Sequence, residues 1–181
     1  MKNIKPIAAG LAVVCIWSGW ITLSRLGVQT QLQPADITLL RYWTALLVVL
    51  PMVIRYPWKQ HRLGQYLVIG LGVGFPYTML SFYALKVIQA AHAGVLVNGM
   101  LPVLGAAAAW WLFGQRIAPH RYAAIGLIFF SNLVMSGGFS LSAAQVVGIA
   151  LLLSAAVFYT GHMTGIRLWQ MRWQDVLVIV P

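Results

Sequence analysis

Long apolar runs broken by short polar stretches extend from one end of the chain to the other. A helix needs about 20 residues to cross the ~30 Å hydrocarbon layer of a bilayer. Six segments reach or approach that length: roughly 7–26, 37–54, 63–85, 90–113, 122–135 with its Gly-rich exit, and 146–166. A seventh begins at Val176, just before Pro181. The apolar positions are continuous and do not alternate with period two, so the pattern predicts helices and not the strands of a barrel. Short connections marked by Pro34, Pro57 and Pro119 predict helical hairpins. The first run follows Lys2 and Lys5, as a signal peptide would. It is too long for one, and Arg25, Gln29 and Gln31 follow it in place of a small-residue cleavage site, so it reads as a retained span.

Composition narrows the class. Hydrophobic residues make up 61% and charged residues 8%, against roughly 25% charged in a soluble domain. A disordered chain needs low hydrophobicity. A nucleic-acid binder needs a solvated basic face, whereas the twelve Lys and Arg here sit in small groups between apolar runs. The net charge of +10 therefore concerns the bilayer: orientation across it and contact with anionic lipid. Lys2, Lys5, Arg55, Lys59, Arg62, Arg116, Arg121, Arg167 and Arg172 fall on one side of the alternating spans. Arg25 and Lys86 fall on the other, and Arg41 lies inside span two. The asymmetry predicts a cytoplasmic N-terminus. Trp58, Trp169 and Trp173 stand at the same ends, as an aromatic belt does. The single cysteine, Cys15, forms no internal disulfide and carries no information on redox compartment.

Span six echoes span one. The stretch from Leu11 to Gly19 can be laid over that from Leu152 to Thr160, placing Trp17 and Tyr159 near each other in register. An acid follows each, Asp36 and Asp175, at the mouth of the next span. A repeat of five spans, an odd number, must be inverted in its second copy, an architecture common among secondary transporters. The division predicted is residues 1–138 as a first five-helix unit and 143–181 as the start of a second, inverted one.

Several short motifs follow in order: Trp17-Ser18-Gly19 in span one, Leu40-Arg41-Tyr42 in span two, and Ser81-Phe82-Tyr83-Ala84-Leu85 closing span three. Then come Ala90-Ala91-His92-Ala93, Pro102 in mid span four, Leu112-Phe113-Gly114-Gln115 at its end, Gly126, and the stretch around Gly148. Together they resemble the EamA-type families of the drug/metabolite transporter superfamily. The resemblance implies an all-α polytopic membrane protein with a five-helix inverted-repeat transporter fold of about ten spans. Six spans and the start of a seventh are present here, so most of the second half is expected to be missing. The chain alone is then expected to be unstable or to self-associate, and to show no transport. Family members usually end span four with Leu-Gly-Glu, and Gln115 replaces that acid.

The candidate cavity residues are Trp17, Ser18, Arg41, Tyr83, His92, Asn98, Pro102, Tyr159 and His162. An arginine in a span is costly unless it reaches water or a partner. Arg41, about one turn inside the outer end of its span, either snorkels outward or pairs with Asp36, or else faces an aqueous cavity and holds an anionic substrate. Trp17 and Tyr159 have matching places in the two units; Trp20, Tyr77 and Tyr83 have packing or lipid-belt roles as the plainer alternative. An aromatic-lined cavity suits amino acids, drugs and quaternary amines. His92 and His162 are either buried histidines bonded to a neighbouring helix or proton-sensitive cavity groups. Asn98 is helix–helix glue. Gly70-x-Gly72-x-Gly74 before Pro76, and Gly94, Gly99 and Pro102, either loosen spans three and four or let helices pack closely, through the pairs Gly70/Gly74 and Gly161/Gly165. The site is expected where spans one, three, four and six converge. Arg41 and His92 would form an electropositive outer vestibule above the aromatics.

Asp36 and Asp175 are the only acids, and neither lies in mid span. There is no Walker motif, no H-E-x-x-H, no G-x-S-x-G, no carboxylate pair and no Cys cluster. The expectation is therefore not an enzyme, with no cofactor and no metal. The resemblance implies a secondary transporter of the inner membrane, an exporter of small metabolites, amino acids or drugs by alternating access. Its partners are a small-molecule substrate and the lipid bilayer, with no nucleic acid. The alternative is a truncated, non-transporting remnant or membrane scaffold.

Overall fold

The computed structural model describes residues 4–115, 119–135 and 142–181. Lys2, Arg116 and the loop around Gly138 lie outside the described residues. The described chain forms α1 (Ile4–Val28), α2 (Pro34–Arg55), α3 (Leu63–Val73), α4 (Phe75–Val87), α5 (Ala90–Phe113), α6 (Pro119–Met135), α7 (Ala143–Leu168) and α8 (Trp173–Ile179). No strand occurs among these residues. Five segments are long and apolar enough to cross a membrane: α1, α2, α3 with α4 as one span, α5 and α7. The expected fifth span is α6, whose 17 residues cover about 26 Å at 1.5 Å per residue. The expected seventh is the short α8.

Four of the helix starts, those of α2, α3, α7 and α8, share one device. An acceptor at the third helical position reaches back to the N–H just before the helix, one of the donors a helix start leaves unpaired. Gln33 N–H donates to Asp36 at 2.9 Å, Arg62 N–H to Gln65 at 2.8 Å, Ser142 N–H to Gln145 at 2.9 Å and Arg172 N–H to Asp175 at 2.8 Å. At α7 the exchange is mutual, since Gln145 N–H donates to Ser142 Oγ at 3.3 Å. At the other end of α5, Gly114 takes the left-handed conformation (φ +62°) that ends many helices, and its N–H donates to the Trp110 carbonyl.

α7 is the hub, packed against α4, α5 and α3, while α1 and α2 lie on α4 from the other side. Lipid-facing helices gain little from apolar burial alone, so close approach at small residues matters. Gly72 provides it: a β-carbon there would stand 2.6 Å from His162 Cβ and 2.9 Å from the Phe158 carbonyl oxygen. The expected pairing of Gly161 with Gly165 is only half realised. A β-carbon on Gly165 would crowd the Trp169 ring, but at Gly161 nothing lies within 4 Å. Large apolar side chains cover the outside, with Val48 75% and Trp111 79% exposed. Such a surface is solvated by lipid and not by water, and the chain is a polytopic membrane protein.

Span three is broken. α3 stops at Val73 and α4 starts at Phe75, with Gly74 between them and Pro76 in the first turn of α4. A break leaves carbonyls without helical partners. Tyr42 from α2 stitches this one: its hydroxyl donates to the Val73 carbonyl at 3.1 Å and lies 2.5 Å from Thr78 Oγ1. The far end of α4 is closed by Arg25 from α1, whose guanidinium donates to the carbonyls of Leu85, at 2.7 Å, and of Ile88.

Candidate functional site

Four aromatic rings from three spans meet inside the bundle. Trp17 and Tyr159 stand edge to face with centroids 5.6 Å apart, and Tyr77 lies 5.6 Å from Tyr159. Trp20 stacks on Tyr77 at 6.2 Å. The local reason is helical period. Trp17 and Trp20 are three residues apart and therefore share one face of α1. Around them is a cavity of about 220 Å³, lined by Ile16, Trp17, Trp20, Arg41, Val73, Tyr77 and Tyr159. It adjoins the break in span three, since Val73 is the last residue of α3 and Tyr77 lies in the first turn of α4.

Arg41 supplies the only charge in that wall. It lies seven residues beyond Pro34, the first of α2, hence about 10 Å and two turns deep. Its guanidinium carbon is 5.2 Å from the Trp20 ring centroid and 5.6 Å from that of Tyr42. Its Nη1 is buried and makes no hydrogen bond among the described residues. It forms no ion pair with Asp36, which is bonded to the Gln33 N–H instead.

The other sequence candidates fall in different places. His162 is buried one turn along α7 from Tyr159, and its Nδ1–H donates to the Ile69 carbonyl at 2.9 Å. The ring thus bonds a neighbouring helix. Asn98 borders a narrow crevice beside Trp17, Trp20 and Tyr77 but is otherwise exposed. Ser18 is exposed, and its hydroxyl donates to the Val14 carbonyl at 2.6 Å within α1. Tyr83 and Pro102 are exposed on α4 and α5, and Tyr83 lies beside Lys86. His92 is half-buried in the first turn of α5 and does not line the aromatic cavity. Of the nine candidates, the aromatic cavity unites Trp17, Arg41 and Tyr159. It adds Trp20 and Tyr77, for which the sequence leaves packing as the plainer role.

A second cluster closes the opposite end of the bundle from the α1–α2 turn. Asp175, 2% exposed, accepts hydrogen bonds from Tyr56 Oη and Gln60 Nε2, each at 3.0 Å, and from Arg172 Nη2 at 3.1 Å. His61 Nε2 stands 3.9 Å away. The cluster ties the α2–α3 connection to the start of α8. Burial alone pushes the Asp175 carboxyl up, but the bonds from the Arg172 side chain and backbone and from Tyr56 outweigh it and hold the group at about 2. Burial pushes the Tyr56 phenol up to about 12, with the Asp175 charge adding to it. The sequence signal for this cluster was the scarcity of acids; its partners, in a distant connection, gave none.

A bundle of apolar spans with an internal aromatic cavity, beside a broken helix, has the layout of a transporter core. No curated protein and no solved structure gave a significant match to the chain. The profile of the EamA-like transporter family matches residues 4–137, and the chain belongs to that family, within the drug/metabolite transporter superfamily.

Proposed function

We propose that the protein is a secondary transporter that exports small organic molecules across the inner membrane by alternating access, with the aromatic cavity as its substrate site. The observation that carries this reading is the joining of Trp17, Trp20, Tyr77, Tyr159 and Arg41 around one cavity at the break in span three. Transport sites favour such places, because a discontinuous helix can change its angle without breaking a continuous hydrogen-bond ladder.

The inverted repeat is part of this reading. Trp17 and Tyr159 come from the first and sixth predicted spans, and Asp36 and Asp175 are each the third residue of the helix that follows. Two halves that rock against each other would then share the cavity at their seam. The N-terminus is cytoplasmic in this reading, because Arg55, Lys59, Arg62, Arg167 and Arg172 gather at one end of the bundle. The Asp175 cluster then lies at the cytoplasmic end and acts as a clasp between the α2–α3 connection and the start of α8.

The test is flux from proteoliposomes that carry the product of the full reading frame and are loaded with a panel of radiolabelled organic acids, amines and neutral metabolites. Export of at least one solute, abolished by Tyr159→Ala and retained by Tyr83→Ala, is expected. Flux that is indifferent to Tyr159 and Tyr77 would contradict the assignment of the cavity.

A further inference from the structure

We infer that the aromatic cavity selects a small organic monoanion, with Arg41 as the group that recognises its charge. The inference rests on the reading of the cavity as the transport site and deepens it.

A guanidinium two turns inside a membrane span needs a partner for its donors. The faces of the Arg41 group are covered, by Trp20 at 5.2 Å and Tyr42 at 5.6 Å. Its edge is not satisfied, since Nη1 is buried without a hydrogen-bond partner among the described residues. The chain has two acids, and both are engaged elsewhere: Asp36 by the Gln33 N–H, and Asp175 by Tyr56, Gln60 and Arg172. Neither of these two side chains neutralises Arg41. A carboxylate brought by the substrate would do so, with the bidentate geometry a guanidinium favours.

Two further features work in the same direction. The break in span three places the start of α4 at the cavity, through Tyr77, and a helix start is its positive end. The Val73 carbonyl at the break is already taken by the Tyr42 hydroxyl, so it does not freely offer a cation a seat. The aromatic rings do not offer one freely either. Trp20, a ring that could hold an ammonium, already holds Arg41. A second positive charge a few ångströms away would be repelled. Quaternary amines, which an aromatic cavity suggests at first sight, are thus selected against.

Size sets the rest. About 220 Å³ lies below the ~300–1,000 Å³ of sites for drug-sized ligands. Trp17, Tyr77 and Tyr159 offer ring surfaces to a flat or apolar body. The ligand class is a single anionic head on a small apolar body.

The experiment uses the protein in lipid nanodiscs, on a Cys15→Ser background with Val73→Cys as the reporter in the cavity wall. Benzoate, benzyl alcohol and phenyltrimethylammonium are the probes, and the readout is the rate at which a water-soluble thiol reagent modifies the reporter thiol. Benzoate is expected to slow modification at concentrations where the other two do not. Arg41→Gln should weaken benzoate protection on the order of ten- to a hundredfold, the range for one lost charge-assisted hydrogen bond. Arg41→Lys should retain part of it, which guards against a merely misfolded variant. Equal protection by phenyltrimethylammonium, or benzoate protection unchanged in Arg41→Gln, would overturn the inference. Failure of the transport reading looks different: benzoate protects, yet no solute of the flux panel moves. If amines move and benzoate gives no protection, transport stands and the anion class falls.

Discussion

Trp17 of α1 and Tyr159 of α7 meet edge to face, their ring planes at 89° and their centroids 5.6 Å apart. An edge-to-face pair places the positive rim of one ring against the negative face of the other. Such a contact tolerates small rotations of the helices while keeping the rings together. It joins the first and sixth predicted spans at the wall of the cavity, where the proposed halves would move against each other.

The Asp175 clasp should be measurable as stability. Asp175→Ala leaves Tyr56, Gln60 and Arg172 without their shared acceptor. A buried polar group left unpaired costs about 1–3 kcal/mol, so the midpoint of thermal unfolding in detergent should fall clearly. Asp175→Asn keeps an acceptor oxygen and should fall less.

The same clasp has a defined pH window. The Asp175 carboxyl is held down to about 2, below its ordinary 3.8. Its contribution to stability is therefore fully present above the ordinary carboxylate value and is lost as pH falls through about 2. Tyr56 is raised to about 12 from 10.0, so its contribution is complete below pH 10 and is lost as pH rises through about 12. Between pH 8 and 9 the stability difference between the protein and Asp175→Ala should stay constant. A difference that shrinks steadily across that interval would refute the clasp as drawn.

Gly72 should not tolerate a methyl group. A β-carbon there meets His162 Cβ and the Phe158 carbonyl, both belonging to a packed helix and not to a flexible side-chain end. Gly72→Ala should cost ~1–3 kcal/mol, the usual range for overpacking. Gly161→Ala, with nothing within 4 Å, should be neutral or slightly stabilising through helix propensity. Paired unfolding curves of the two variants check this directly.

Tyr42→Phe removes the hydroxyl that donates to Val73 O at the break in span three. Fold and expression should survive, because one hydrogen bond is worth about 1 kcal/mol net. Flux should change by more than that stability loss implies, because the break is the moving part of the proposed mechanism. Unaltered flux in Tyr42→Phe would remove the break from that mechanism.

Much of the fold was legible because span length and loop charge are properties of the sequence itself. The run of Gly70, Gly72, Gly74 and Pro76 marked the place where span three breaks, and Trp17 and Tyr159 were singled out by their matching positions. Helix rotation was not legible, because nearly every position in a span is apolar. Tyr77 and Tyr83 illustrate this. Six residues at about 100° each put them on different sides of α4: Tyr77 is buried at the cavity and Tyr83 is exposed beside Lys86. Asn98 and Pro102, four residues apart, share an exposed face in the same way. The partners of Asp175 and the reach of Arg25 to the end of α4 depend on which connections meet in space, and no periodicity carries that information.

The central claim is that water and substrate reach the cavity between α1, α3, α4 and α7. Thiol accessibility in sealed membrane vesicles tests it most directly. On the Cys15→Ser background, Val73→Cys in the cavity wall and Val48→Cys on the exposed apolar surface are exposed in turn to a membrane-impermeant thiol reagent. Val73→Cys should react, and Val48→Cys, surrounded by lipid, should not. If Val73→Cys stays as unreactive as Val48→Cys from both sides of the membrane, the aromatic cluster is packing and not a transport path.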